Sequence, residues 1–486
     1  MIKKRWVVKG FDQGIAEHLQ DVLKVHPVLC QLLAQRSVAT FEESKDFFRP
    51  KWEHLHDPFL MKDMDKAIDR IQLAMQRKEK ILIYGDYDVD GTTSVALVYS
   101  FLRRYYLEMD FYIPDRYSEG YGISIQGIDY AKENGFSLII ALDCGIKSID
   151  KIEYANELGI DFIICDHHLP GDEIPNAVAV LDPKRSDCHY PYKELSGCGL
   201  GFKLMHAFIN THNIDEKELI PFLDLVVISI AADIVPITGE NRVLSFIGLN
   251  QLNNHPSEGV KALIKASGMK RELTISDIVF SLGPRINAAG RMDDAKNAVK
   301  LLISEHSEQA DNNADALNVT NKARKEVDVN ITAEALALLT DDPLQQTKKS
   351  TVLFQPHWHK GVIGIVASRL LDHYYRPTII LTESNGVASG SARSVAGYDI
   401  HEAIKSCSEL LEQFGGHMFA AGLTLKKENV PLFIERFEEV VSATIDDQML
   451  IPQIIIDAEL SPSDIGNKFY EIMKQFSPFG PHNMKP

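Results

Sequence analysis

The stretch ILIYGDYDVDGTTS, Ile81 to Ser94, places three carboxylates, Asp86, Asp88 and Asp90, between an apolar run and the helix-like VALVYSFLRRY. Residues i, i+2 and i+4 share one side of an extended chain, so these acids crowd together. Like charges at that spacing oppose one another's ionisation, and the arrangement is costly unless something positive sits between them. DVDGTTS turns at Gly91 into a helix whose N-terminal amides favour an anion. Thr92, Thr93 and Ser94 stand where they can cap that helix or touch a phosphate oxygen, capping being the simpler role.

Working outward, the same pattern recurs. MDFYIPD, SLIIALDCG, DFIICDHH, AVAVLDP and VVISIAADIV are short apolar runs separated by amphipathic stretches. Such runs, bounded by turn signals, indicate a parallel sheet covered on both faces, and hence a doubly wound α/β domain. Four of these expected strands end in acid or acid plus imidazole: Asp86, Asp88 and Asp90; Asp143; Asp166, His167 and His168; and Asp233. One aspartate after a strand is ordinarily a helix cap. Four consecutive endings are different, because ligands of an open parallel sheet bind outside the carboxyl ends of its strands, where all four converge. Carboxylates with imidazole and no thiolate suit Mn²⁺ or Mg²⁺, and the ligands suffice for two ions. A two-metal site points to phosphoester hydrolysis.

At 486 residues the chain exceeds one ordinary core, so two or more domains are expected. With 68 acidic against 51 basic residues, the net charge of −17 argues against coating nucleic acid or anionic membrane through overall charge. MIKKRWVVKGFDQ lacks the apolar core of a signal peptide, and no apolar stretch has membrane-spanning length, so a cytoplasmic protein is expected. The six cysteines show no CxxC spacing, which indicates neither a disulfide framework nor a zinc knuckle. Pattern changes divide the chain into a helical leader (1–78), the acid-bearing α/β domain (79–293), a long connecting helix (294–345), a smaller α/β domain (346–450) and, from QIIIDAEL, the start of a truncated C-terminal β domain (451–486).

Several stretches are suited to phosphate. In PRINAAGR, Arg285 and Arg291 flank small residues that let a backbone approach closely, although a salt bridge between elements would use the same residues. HWHKGVIGIVASRL offers His357, His359, Lys360 and Arg369, with Trp358 expected to pack. SGSARS supplies Ser391 and Arg393, and FGGHMFAAG supplies Gly415, Gly416 and His417, where glycines permit close approach.

At DVDG, DCG, DHH and AADIVP the chain resembles the DHH phosphoesterase superfamily, and GDYDVDGTTS, SLGPRINAAGRMDDA, HWHKGVIGIVASRL, SARS, FGGHMFAAG and the leader LLAQRSVATFEESKDFFRP resemble the RecJ family within it. The resemblance implies a DHH domain and a DHHA1 domain joined by a long helix, with an OB-like domain beginning near residue 451. It implies a 5′→3′ exonuclease that degrades single-stranded DNA to 5′-mononucleotides with two Mn²⁺ or Mg²⁺ ions. By the same resemblance it acts as a monomer in DNA repair and recombination, with a single-strand-binding protein and a helicase as partners and no membrane association. Carried over by position, Asp88 and Asp90 serve one ion each, Asp143 bridges them, and His167 and Asp233 complete the second ion's shell. His168 faces the substrate phosphate. Many superfamily members carry a histidine where this chain has Tyr84, so Asp86 is either a substitute ligand or a support for the turn. Arg285, Asn287 and Arg291 become DNA-phosphate contacts, and the GGH region holds substrate. Two alternatives are a nano-RNA or cyclic-dinucleotide phosphodiesterase, whose members typically lack the leader and PRINAAGR, and an inactive replication scaffold, against which the intact acids speak.

Overall fold

In the computed structural model, which describes residues 3–486, the chain divides into two units. Residues 10–321 with 458–486 form one, and residues 3–9 with 322–457 form the other. Strand β1 (Arg5–Val8) opens the chain. Four helices follow, Gln13–Leu23, Pro27–Ala34, Phe41–Phe48 and Met64–Arg77, as the leader's pattern requires. The third begins with a reciprocal cap, in which Thr40 Oγ1 accepts from Glu43 N while the Glu43 carboxylate accepts from Thr40 N.

The first unit is built on five parallel strands, β2 (Lys80–Gly85), β3 (Met109–Tyr112), β4 (Phe136–Leu142), β5 (Asp161–Cys165) and β6 (Ala179–Leu181), in the order β3-β2-β4-β5-β6. Both faces are covered: Ile81 and Ile83 enter one core, Leu82 and Tyr84 the other. That is why these strands are apolar without alternation. Helix α1 (Val89–Leu102) leaves β2 through the acid-rich turn and is buried along nearly its whole length. It packs against α2 (Gly197–His212) and α3 (Leu223–Ala232). Here one expectation is corrected: VVISIAA is part of helix α3, and Asp233 is its C-cap residue. A run buried on all sides carries no period to separate helix from strand, so the β-branched residues misled. Asp233 therefore arrives from a helix end instead of a strand end.

Helix α4 (Gly239–Asn254) follows, and α5 (Gly283–Met292) contains PRINAAGR. A short helix, Lys296–Leu302, precedes α6 (Ser307–Asp341), 35 residues long, so the expected long helix is present and broken once. The boundary between the units falls inside α6, between residues 321 and 322. The second unit carries a five-stranded sheet, β7 (Thr351–Phe354), β8 (Thr378–Ser384), β9 (Val387–Arg393), β10 (Gln413–His417) and β11 (Ala420–Leu425), in the order β10-β11-β9-β8-β7. Helix α7 (Ile363–His373) packs on β8 and β9.

The C-terminal segment departs from the expected start of an OB-like domain. Strand β12 (Gln453–Ile456) pairs in parallel with β1, and from residue 458 the chain rejoins the first unit. Helix α8 (Asn467–Lys474) sets Phe469 among Leu19, Leu29 and Leu33 of the leader, and Phe476 follows it there. The apolar positions Phe469 and Phe476 of this tail join the leader's core. Arg242 of α4 locks the junction, donating to the carbonyls of Phe47, Phe476, Ser477 and Pro478 while its guanidinium lies 3.7 Å above the Phe47 ring. Arg242→Met removes this shared donor, leaving Asn483 Nδ2 to hold Phe476 O and Pro478 O alone, and is expected to lower stability by on the order of 3 kcal/mol. Denaturant unfolding measures the loss, and limited proteolysis should then cut first within residues 476–486.

Candidate metal centre

The acids meet at the carboxyl ends of β2, β4 and β5 and the C-terminal end of α3. Asp143 leaves β4 in the left-handed region (φ 61°), which turns its carboxylate toward His167. His167 Nε2 lies 3.2 Å from Asp143 Oδ1, 3.6 Å from Asp233 Oδ2 and 3.7 Å from Asp90 Oδ2. Two triads have ligand atoms close enough to share an ion, Asp90–His167–Asp233 and Asp143–His167–His168. Asp143 Oδ1, buried, has no hydrogen-bond partner among the described residues, and neither does His167 Nδ1.

Asp90 is held by three donors. Gly197 N (2.7 Å) and Cys198 N (2.8 Å) reach it from the first turn of α2, and Ser229 Oγ (2.6 Å) reaches it from α3. The Ser229 hydroxyl oxygen also lies 2.6 Å from Ser196 Oγ, the N-cap of α2, whose hydroxyl can donate to it. Gly197 has no alternative at this place, since a Cβ there would lie 2.6 Å from Asp143 Cβ. Asp88 caps α1 by accepting from Gly91 N at 3.0 Å. Burial is the chief reason that Asp88, Asp143 and Asp233 ionise less readily than ordinary carboxylates, and neighbouring acids add to it.

Asp166 does different work. It accepts from Ile146 N, His167 N, His168 N and His168 Nδ1 (2.7 Å), so it sets the histidine pair without facing the other acids. Burial would raise its pKa, but the hydrogen bond and charge of His168 outweigh this and hold it at about 2. Burial likewise opposes charge on His168, yet Asp166 lifts that imidazole to about 9. Its Nε2 meets the Tyr121 hydroxyl at 3.2 Å.

Asp86 and Tyr84 settle the departure at the head of the motif. The Tyr84 ring faces the opposite core, where its hydroxyl donates to Gly122 O and accepts from Ser124 N. Asp86 accepts from Gly122 N at 3.2 Å, so both side chains brace the loop that carries Tyr121. Asp86 Oδ2 is buried without a partner among the described residues, and burial, then the Asp88 charge, pushes this carboxyl well above its usual range. Asp86 and Asp88 stand outside the two triads.

Residues 80–230 match the DHH family, N-terminal domain, and residues 347–443 match the DHHA1 domain. Over the whole chain, 41% of residues are identical to the single-stranded-DNA-specific exonuclease RecJ of Bacillus subtilis, of which the chain spans 61%. Identity to RecJ of Escherichia coli is 34%, covering 93% of this chain and 81% of that protein. The chain belongs to the RecJ family. A crystal structure of Thermus thermophilus RecJ in complex with Mn²⁺ superposes with a TM-score of 0.86 at 26% identity, covering 99% of this chain and 69% of that one.

In this RecJ-family chain, α5 lies directly against the acid loop. A Cβ on Gly290 would approach Tyr87 O to 2.4 Å, and the Tyr117 hydroxyl donates to Arg291 O. Arg285 donates to Ser281 O (2.7 Å) and Asn318 Oδ1 (3.1 Å), which fixes α5 to α6, whereas Asn287 is half-buried on the same helix. In the second unit, a Cβ on Gly364 would lie 2.8 Å from Ser391 Oγ and 2.9 Å from Arg393 Nη2, so the start of α7 adjoins both. Arg393 pairs with Ala420, and Ala420 with His417, across three adjacent strands. Gly416 (φ 145°) approaches Ala420 O where a Cβ would clash at 2.4 Å, and Gly415 precedes it. His359 Nδ1 accepts from Gly361 N beside Lys360. Arg369 does not join this group, because its guanidinium is turned onto Asp328 at 2.8 Å. Trp358 is buried as expected, its Nε1 donating to Glu334, which also meets His357.

Sequence reasoning missed Gly197, Cys198 and Ser229, which hold Asp90, Ser196, which meets Ser229, and Tyr121, which meets His168. The glycine-flanked Tyr121 and the small-residue start SGCGLG were the available signals. Gly197→Ala should displace Asp143 and destabilise the fold by about 1–3 kcal/mol through overpacking. Thermal unfolding checks this, with Gly199→Ala, whose Cβ meets nothing closer than 3.4 Å, as the milder comparison.

Proposed function

We propose that this chain is the catalytic part of a metal-dependent 5′→3′ exonuclease that hydrolyses single-stranded DNA to 5′-mononucleotides. The observation that carries the proposal is the buried imidazole of His167 within 3.2–3.7 Å of three carboxylates, one of whose oxygens has no hydrogen-bond partner among the described residues. One imidazole cannot compensate that much negative charge, and divalent cations can. Oxygen donors with a single imidazole and no thiolate fit Mn²⁺ or Mg²⁺. Asp88, Asp90, Asp143, His167 and Asp233 would hold two such ions, with Asp86 behind them. Bound there, the ions supply an activated water and neutralise charge on the phosphoryl group.

The protein's own part is positional. Asp166 orients His168 and keeps it charged near neutrality, which suits a donor to a phosphate oxygen. The first turn of α2 and Ser229 fix Asp90 before any ligand arrives. Ser391, Arg393 and His417 at the start of α7 suit a further phosphate of the strand. Kinship with the RecJ family supports the polarity, a role in DNA repair and recombination, cytoplasmic action as a monomer, and a single-strand-binding protein and a helicase as partners. No described helix is long and apolar enough to cross a membrane.

A strand labelled separately at each end should lose its 5′ label first, with Mn²⁺ present and not with EDTA; loss from the 3′ end refutes the polarity. Asp143→Asn keeps the shape of the side chain and removes its charge, so it should abolish cleavage with little loss of fold. Asp90→Ala is a poorer test, since it strands three buried donors. Ser229→Ala should lower activity or metal affinity by about 10- to 100-fold.

Metal should also decide how stability responds to pH. Carboxyls whose folded pKa is raised bind more protons folded than unfolded, so without metal stability falls as pH rises beyond the ordinary carboxylate range. Mn²⁺ should therefore raise Tm more at pH 8 than at pH 5.5; an equal shift at both refutes the site.

A further inference from the structure

Helix α5 and the turn before it run along the rim of the centre. At one end Gly290 lies on Tyr87, between Asp86 and Asp88; seven residues earlier, a Cβ on Gly283 would lie 3.6 Å from that of Ala232, the neighbour of Asp233. Immediately before Gly283 the chain makes a π-helical turn, Ile278–Leu282. Ile278 and Leu282 are buried in it, whereas Phe280 is 79% exposed. Such widened turns cost hydrogen-bond geometry and recur at functional sites. On the same rim Ile234, next to Asp233, is 62% exposed and sits in the left-handed region (φ 59°), which a β-branched residue adopts only under strain.

An isolated exposed apolar side chain needs no explanation. Here there are two: Ile234 directly follows Asp233 on a strained backbone, and Phe280 stands on a π-turn three residues before Gly283, which adjoins Ala232. A single strand whose phosphate sits at Asp233 presents unpaired bases to this rim, and every base offers a flat face to an aromatic ring. We propose that Phe280 is a stacking platform for one nucleobase of the bound strand, with Ile234 as the apolar ledge beside it. The inference rests on the single-strand reading above and deepens it: the enzyme grips the strand by a base as well as by phosphates. Because stacking is indifferent to base identity, the contact adds affinity without sequence preference.

The test is an abasic scan. Binding of fluorescein-labelled 12-nucleotide strands, each with one abasic site, is followed by anisotropy with Ca²⁺ in place of Mn²⁺, so that the oxygen donors are occupied by a divalent ion. In the unaltered chain one position should weaken binding by about 5- to 100-fold, the range of one base–aromatic stack. In Phe280→Ala that position should lose its special cost, and Phe280→Trp should restore it. Circular dichroism of each variant verifies folding. An abasic profile in Phe280→Ala identical to that of the unaltered chain overturns the platform while leaving the single-strand reading intact. No binding of any strand by the unaltered chain overturns both.

Discussion

The acid-bearing end of the first unit answers to the cost of holding several carboxylates around one buried imidazole. Asp90, Asp143 and Asp233 surround His167 at 3.2–3.7 Å, and their mutual repulsion opposes folding. The fold offsets part of this with dipoles. The first amides of α2 and the Ser229 hydroxyl point at Asp90, Gly91 N points at Asp88, and the turn after β5 gathers three backbone amides on Asp166. None of these dipoles reaches Asp143 Oδ1, which has no hydrogen bond among the described residues and faces His167 Nε2 at 3.2 Å. The centre is thus rigid before it is neutral, the condition under which a divalent ion binds without rearranging its ligands.

Much of this was legible in the order of residues, and the reasons differ by element. Strands β2 to β6 announced themselves because a sheet covered on both faces must be apolar throughout. The acids were visible because they sit at strand ends, where a parallel sheet exposes its ligands. Helix α3 was not legible, since burial on every side removes the period that marks a helix; the acid it carries was nevertheless recognised. The residues that hold Asp90 were hidden for another reason: Gly197 and Cys198 act through backbone amides and Ser229 through an ordinary hydroxyl, all by contacts across more than a hundred residues. Arg285 and Arg369 show the reverse, cations with the right character that the fold directs onto Asn318 and Asp328.

Small residues recur where two elements must nearly touch. Gly197 admits Asp143, Gly290 admits Tyr87 O, and Gly364 admits Ser391 and Arg393. In each case a polar or charged group occupies the space that a side chain would have filled. The glycines therefore do not mark flexible joints. They mark where backbone has been brought within a few ångströms of the chemistry, so even alanine there displaces a working group.

The leader's core takes its last members, Phe469 and Phe476, from more than four hundred residues downstream, and Arg242 fastens them to Phe47. During synthesis the leader helices emerge first yet cannot finish burying Leu19, Leu29 and Leu33 until the tail arrives. The sheet that bears the acids needs no such wait, because its strands follow one another within a hundred residues. The order of completion is thereby set by connectivity: the metal-binding sheet can form before the leader's core closes, a contact that carries the loop-closure cost of more than four hundred residues.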